Sequence, residues 1–113
     1  EENQQKTQYV YILRCGDGTL YTGWTTDLEH RVAMHNAGKG AKYTRARRPV
    51  RLEYYEEYMD KKEALRRECA IKKMTRSEKL RLIQESEKER TCRQRMLFSD
   101  TIHDTNDYTE ASL

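Results

Sequence analysis

Apolar and polar positions along the chain divide into short alternating runs and longer helical ones. Tyr9-Val10-Tyr11-Ile12-Leu13 is aromatic and β-branched and predicts a strand. Gly16-Asp17-Gly18 is a hairpin signal, and Thr19-Leu20-Tyr21-Thr22 predicts the returning strand. Thr26-Asp27-Leu28-Glu29 has the spacing of a capping box, with Thr26 as N-cap and Glu29 reaching back. The helix it opens should run to about Asn36 and stop at Gly38.

Residues 38–50 hold Gly38, Gly40 and Pro49 and predict a loop. Arg51 to Tyr58 reads as a third strand through Leu52, Tyr54, Tyr55 and Tyr58. Asp60 with Glu63 caps a helix of about 61–74, and Thr75-Arg76-Ser77-Glu78 opens another with an apolar edge at Leu80 and Ile83. The fold class is therefore α+β. A small, three-stranded, mainly antiparallel sheet is flanked by helices in the order β-β-α-β-α-α.

At 113 residues the chain fits one domain, expected over residues 8–90. Residues 91–113 form an acidic segment with little apolar material to offset the entropy of ordering. Charged residues are 36% of the chain, and no stretch approaches the ~18 consecutive apolar residues of a spanning helix. The polar start Glu1–Gln8 shows no leader pattern. Cys15, Cys69 and Cys92 have neither zinc-site nor disulfide-framework spacing, as expected of thiols in a reducing cytoplasm.

The net charge of +3 is unevenly spread. Residues 14–84 carry 17 Lys and Arg against 10 Asp and Glu, whereas residues 85–113 carry 4 against 7. A basic body suits a polyanion. Within it Lys39, Lys42, Arg45, Arg47, Arg48 and Arg51 fall in thirteen residues with no acid among them, and Tyr43 interleaves. That density of one sign is suited to neutralising phosphates.

Three further features have both a structural and a chemical reading. Tyr11 and Tyr21 are brought close by the hairpin, as half-buried sheet residues or as a pair at a site. Arg31 and His35 are four apart and project from one helix face. Glu68 lies beside the apolar positions Ala64, Leu65 and Ile71, where an unpaired carboxylate is costly; an ion pair or a metal would answer that cost.

Tyr9-Val10-Tyr11, nine residues, then Tyr21-Thr22-Gly23 resembles the paired motif of the GIY-YIG nucleases. The likeness continues through Thr25, Arg31, His35-Asn36, Gly38-Lys39-Gly40-Ala41-Lys42 and Ala64-Leu65-Arg66-Arg67-Glu68, covering residues 8–83. It is similar to the small stand-alone bacterial branch and to the nuclease domain of structure-specific endonucleases. The resemblance implies Tyr11 as general base or water activator, with Tyr21 as its neighbour. It implies Arg31 for phosphoryl charge, His35 lining the site, and Glu68 as sole protein ligand of one Mg²⁺ or Mn²⁺ ion. The implied activity is hydrolysis of DNA, branched or with single-stranded character, in the setting of DNA repair. A binding module of the same fold with weak or no catalysis is the alternative, and an adaptor recruiting partners by its acidic tail is a third.

Register tests this resemblance. A two-residue Asp17-Gly18 turn would oppose Tyr11 to Trp24 and Tyr21 to Arg14, placing the tyrosines on opposite sheet faces. A shared site requires one more residue in the turn, which predicts a three-residue loop with a bulge.

Overall fold

A computed structural model describes the backbone of residues 6–101 and the side chains of residues 6–90. The strands β1 (Gln8–Arg14), β2 (Leu20–Thr25) and β3 (Arg51–Tyr58) form one antiparallel sheet in the order β2-β1-β3. The central strand is apolar on both faces, and Val10, Ile12 and Leu13 have no exposed surface. Among the described residues no helix is long and apolar enough to cross a membrane.

The hairpin has the odd-length turn. Cys15 N–H donates to the Thr19 carbonyl at 2.8 Å, and Gly18 N–H donates to that of Cys15 at 2.9 Å. Gly18 takes φ +88°, the left-handed position such a loop requires. Tyr11 consequently faces Gly23, and Leu13 faces Tyr21, so both tyrosines lie on one face of the sheet. A bulge in β3 admits Glu53 as an extra residue, since Ile12 pairs with Tyr54 and Leu13 with Leu52.

Helix α1 (Leu28–Asn36) covers the tyrosine face, where Leu28 and Val32 pack against Tyr11, Leu13, Cys15 and Val50. Its N-cap is Asp27 rather than Thr26: the Asp27 carboxylate accepts from His30 N–H at 3.1 Å. Thr25 Oγ1 accepts from Asp27 N–H and turns the chain one residue later than the Thr26 spacing suggests. The C-terminus closes as predicted. Gly38 at φ +80° donates to His35 C=O, and Lys39 N–H reaches back to Met34 C=O at 2.9 Å.

The segment expected to be a plain loop contains a one-turn helix, α2 (Lys42–Arg45). The Ala41 carbonyl organises it by accepting from the N–H groups of Thr44 and Arg45 and from the Thr44 hydroxyl. Gly and Pro flanks conceal this turn from a reading based on breakers. Asn36 then holds the end of α1 to the start of β3. Its amide donates to Val50 C=O at 3.0 Å and accepts from Val50 N–H at 2.7 Å.

Helix α3 (Lys61–Lys72) lies on the opposite face and buries Ala64 and Ile71. Asp60 caps it as predicted, through Lys62 N–H. Glu56 of β3 accepts from Tyr54, from Tyr58 at 2.6 Å, and from Arg67 of α3 through bonds of 2.9, 3.2 and 3.0 Å. These bonds hold the Glu56 carboxyl below its usual range despite burial. They also set the placement of α3 on the sheet.

Helix α4 (Arg76–Thr101) opens with the Thr75–Glu78 capping box, both reciprocal bonds formed. One compact unit ends at Leu80 and the α4 segment from Arg81 begins a second. Of the acidic segment 91–113, residues 102–113 lie outside the described residues.

Replacing Asn36 by Ala should lower stability by about 2 kcal/mol, because the buried Val50 N–H and C=O lose their partners together. Urea denaturation measures this, and a loss below ~0.5 kcal/mol would contradict the clamp.

Candidate active site

Two glycines make the space in which the site is built. A Cβ on Gly23 would fall 2.5 Å from Tyr11 Cζ and collide with its hydroxyl, so the bare Gly23 backbone lets the Tyr11 ring extend across the edge strand. A Cβ on Gly40 would lie 2.8 Å from His35 Cγ. The loop after α1 therefore closes directly over that imidazole.

His35 has no exposed surface, and its last-turn position on α1 points it between Tyr11 and Tyr21. Tyr11 Oη lies 3.1 Å from His35 Nε2, and His35 Nδ1 lies 2.7 Å from Thr44 Oγ1. The Thr44 hydroxyl is 3.0 Å from Ala41 C=O. One proton arrangement leaves no hydrogen in this chain without an acceptor. Tyr11 donates to Nε2, Nδ1–H donates to Thr44, and Thr44 donates to Ala41. His35 is then a neutral acceptor toward Tyr11.

Electrostatics agree with a neutral ring. Burial, followed by the positive charge of Arg31, pushes the His35 pKa below its ordinary value. Burial pushes Tyr11 up to about 12, although Arg31 beside the phenol oxygen pulls the other way. The charge of Glu68 adds to the upward push. Tyr11 at rest is a neutral hydrogen-bond donor, not a standing phenolate. With Tyr11 only 1% exposed, the half-buried Tyr21, Arg31 and Glu68 form the accessible part of the site.

Glu68 makes one ion pair, with Lys72 at 3.3 Å one turn along α3. No group of three or more His, Cys, Asp or Glu side chains that could hold a metal ion occurs among the described residues. The donor set at Tyr11 is thus a single carboxylate. That fits a hard cation which keeps most of its water, and does not fit a zinc-type cage.

The basic loop divides into two parts. Tyr43 stacks on Tyr21 at 5.9 Å and 22°, and Arg47 lies over the other face of Tyr43 at 3.9 Å. Arg47 is held by Asp17 of the hairpin at 3.1 Å and by the Tyr43 carbonyl at 2.8 Å. Arg48 donates to the Arg45 carbonyl, and Arg51 pairs with Glu53, which also holds Arg14. Lys39, Lys42 and Arg45 are exposed, with no ion pair among the described residues.

Of the five residues singled out in the sequence, Tyr11, Tyr21 and His35 meet directly, while the charges of Arg31 and Glu68 act on the Tyr11 phenol. Sequence reasoning missed Thr44 and Asp17. Thr44 is a fully buried hydroxyl in a segment read as loop, and the signal available was its place three residues after Ala41 and four after Gly40. Asp17 was read only as a turn residue.

The family model for the GIY-YIG catalytic domain matches residues 7–81. The chain is 58% identical over 77 residues to UPF0213 protein SH2523 of Staphylococcus haemolyticus, covering 68% of this chain and 94% of that protein. It is 60% identical over 75 residues to UPF0213 protein CPE1444 of Clostridium perfringens, covering 66% of this chain and 81% of the relative. Among solved structures, the solution NMR structure of protein EF2693 from E. faecalis is similar with 40% identity and a TM-score of 0.52, over 77% of this chain and 92% of that one.

The lowered His35 pKa has a consequence for stability. The unfolded chain binds a proton at this residue more readily than the folded one. Its contribution is complete above the unfolded value of ~6.5 and is lost as pH falls toward the folded pKa. Denaturation midpoints measured between pH 7 and pH 5 should fall, and His35→Gln should flatten that fall. An equal slope in the variant would contradict the buried neutral imidazole.

Proposed function

The chain belongs to the GIY-YIG catalytic-domain family, a nuclease family whose members generally use a divalent metal, and from that membership and the geometry at Tyr11 we propose that it is a Mg²⁺-dependent endonuclease hydrolysing DNA phosphodiesters. The observation that carries this reading is the buried Tyr11–His35–Thr44 hydrogen-bond chain ending beside Arg31 and Glu68. A merely structural tyrosine needs no neutral imidazole acceptor backed by a second donor pair. The catalytic unit is residues 8–90, with the acidic segment 91–113 outside it.

Hydrolysis needs a water deprotonated as it attacks phosphorus, and positive charge where the phosphorane charge grows. A water at the Tyr11 phenol gives its proton to Oη while Oη gives its own to His35 Nε2. A phenol with a pKa of about 12 can pass a proton in this way, although it is a poor base at rest. The water oxygen bonds to phosphorus, the bond to the 3′ oxygen breaks with its electron pair staying on that oxygen, which takes a proton from solvent, and His35 becomes an imidazolium. Its Nδ1–H bond to Thr44 keeps the ring from turning as it charges. Arg31 presents its planar donors to the non-bridging oxygens. Tyr43, with Arg47 over its own ring, holds Tyr21 in place by stacking on it.

Glu68 would hold the cation, which when bound supplies Lewis-acid stabilisation of the leaving oxygen. Lys39, Lys42, Arg45 and Arg48 carry the charge of the loop that no described carboxylate pairs, and would follow the phosphate backbone. Few side chains around the site could read base edges, so selectivity would rest on the form of the DNA, branched or single-stranded, rather than its sequence.

Cleavage of branched, single-stranded and duplex DNA with and without Mg²⁺ tests the reading. Glu68→Ala should abolish metal-dependent cleavage, and Arg31→Ala should lower kcat by about 10²–10³. Tyr11→Phe and His35→Ala should each lower it by about 10²–10⁴. Binding should persist in all four. Rate should decline on the acid side as His35 protonates, below its ordinary ~6.5. Wild-type binding with no metal-dependent cleavage would instead identify a binding module.

A further inference from the structure

A second pair of cations, outside the basic loop in sequence, stands at the start of α4. A hollow of about 230 Å³ is lined by Thr19 and Leu20 at the start of β2, Met74 between the helices, and Arg76 and Lys79 of α4. Arg76 is anchored in it, its Nη1 donating to the Gly18 carbonyl at 2.8 Å. Lys79 is half-buried with no ion pair among the described residues. The neighbouring carboxylate of Glu78 is turned back to the Thr75 N–H in the capping box.

Burial and the positive charge of Lys72 both lower the Lys79 pKa. Lys72 itself pairs with Glu68 at 3.3 Å. The Thr19 hydroxyl is spent on Asp17 at 2.7 Å, so the hollow offers two cations beside an apolar wall, a set matched by a tetrahedral oxyanion.

We propose that the hollow between Thr19, Arg76 and Lys79 is a phosphate subsite that holds a backbone phosphodiester of the substrate strand, away from the bond that is cut. It rests on the nucleic-acid reading of the same site, and it adds a residue set that the basic loop does not include. Arg76 joins the subsite to the hairpin that carries Tyr21, which fixes its position relative to β2.

The test is binding of oligothymidylate to the full chain carrying Glu68→Gln, across a series of salt concentrations. Lys79→Gln should weaken binding severalfold and reduce the slope of log affinity against log salt by about 0.7, the value of one phosphate contact on a single strand. Lys62→Gln removes the same charge at the exposed start of α3 and should leave the slope unchanged. Arg76→Lys should weaken binding in the same direction with a normal melting temperature. An unchanged slope in folded Lys79→Gln would overturn the subsite, as would wild-type protein that binds oligothymidylate without salt dependence. Inorganic phosphate that binds in a Lys79-dependent way, with no change in the oligothymidylate slope, would make the hollow a free-phosphate site and also overturn it. Wild-type binding without cleavage, with the Lys79 effect intact, would remove the nuclease reading and leave the subsite standing.

Discussion

A histidine with no solvent contact is the constraint from which much of this molecule follows. An imidazole enclosed by protein is neutral at rest, and both ring nitrogens must be satisfied. His35 meets that requirement with Tyr11 on one side and Thr44 on the other. The partners come from β1 and α2, so the bond chain ties the central strand, the first helix and the loop helix together. Gly40 leaves room for the ring and Gly23 leaves room for the phenol that bonds to it. A side chain at either glycine would displace the same hydrogen-bonded pair.

The remaining site residues depend on two mechanical features. The three-residue hairpin loop sets β2 in the register that puts Tyr21 on the Tyr11 face, and Asp17 in that loop anchors Arg47 on the Tyr43–Tyr21 stack. On the other face Glu56 gathers Tyr54, Tyr58 and Arg67, fixing α3 and with it Glu68. Glu68 and Tyr11 start from elements on opposite faces of the sheet.

Much of this was legible in the sequence. Tyr11, Tyr21, Arg31, His35 and Glu68 stand out in the sequence as candidates through the resemblance to the family, and requiring two tyrosines to share a face sets the loop length. Arg51–Tyr58 was read as a strand to its observed ends. What was not legible depended on contacts between distant segments. The acid-free run from Lys39 to Arg51 looked uniformly free, yet Asp17 and Glu53 reach Arg47 and Arg51 from elsewhere in the chain. The Thr26 cap failed because Asp27, one residue on, is an equally good acceptor and the Thr25 hydroxyl turns the chain toward it. Thr44 had no periodic signal, because a single helical turn is too short to show one.

The direction of the Tyr11 proton is the central claim, and the tautomer of His35 reports it. Long-range proton–nitrogen NMR correlation of the His35 ring at neutral pH distinguishes the two nitrogens directly. A protonated Nδ1 with a bare Nε2 is the result expected, since Nε2 must accept from Tyr11 while Nδ1–H donates to Thr44. A proton on Nε2, or an imidazolium at that pH, would contradict it.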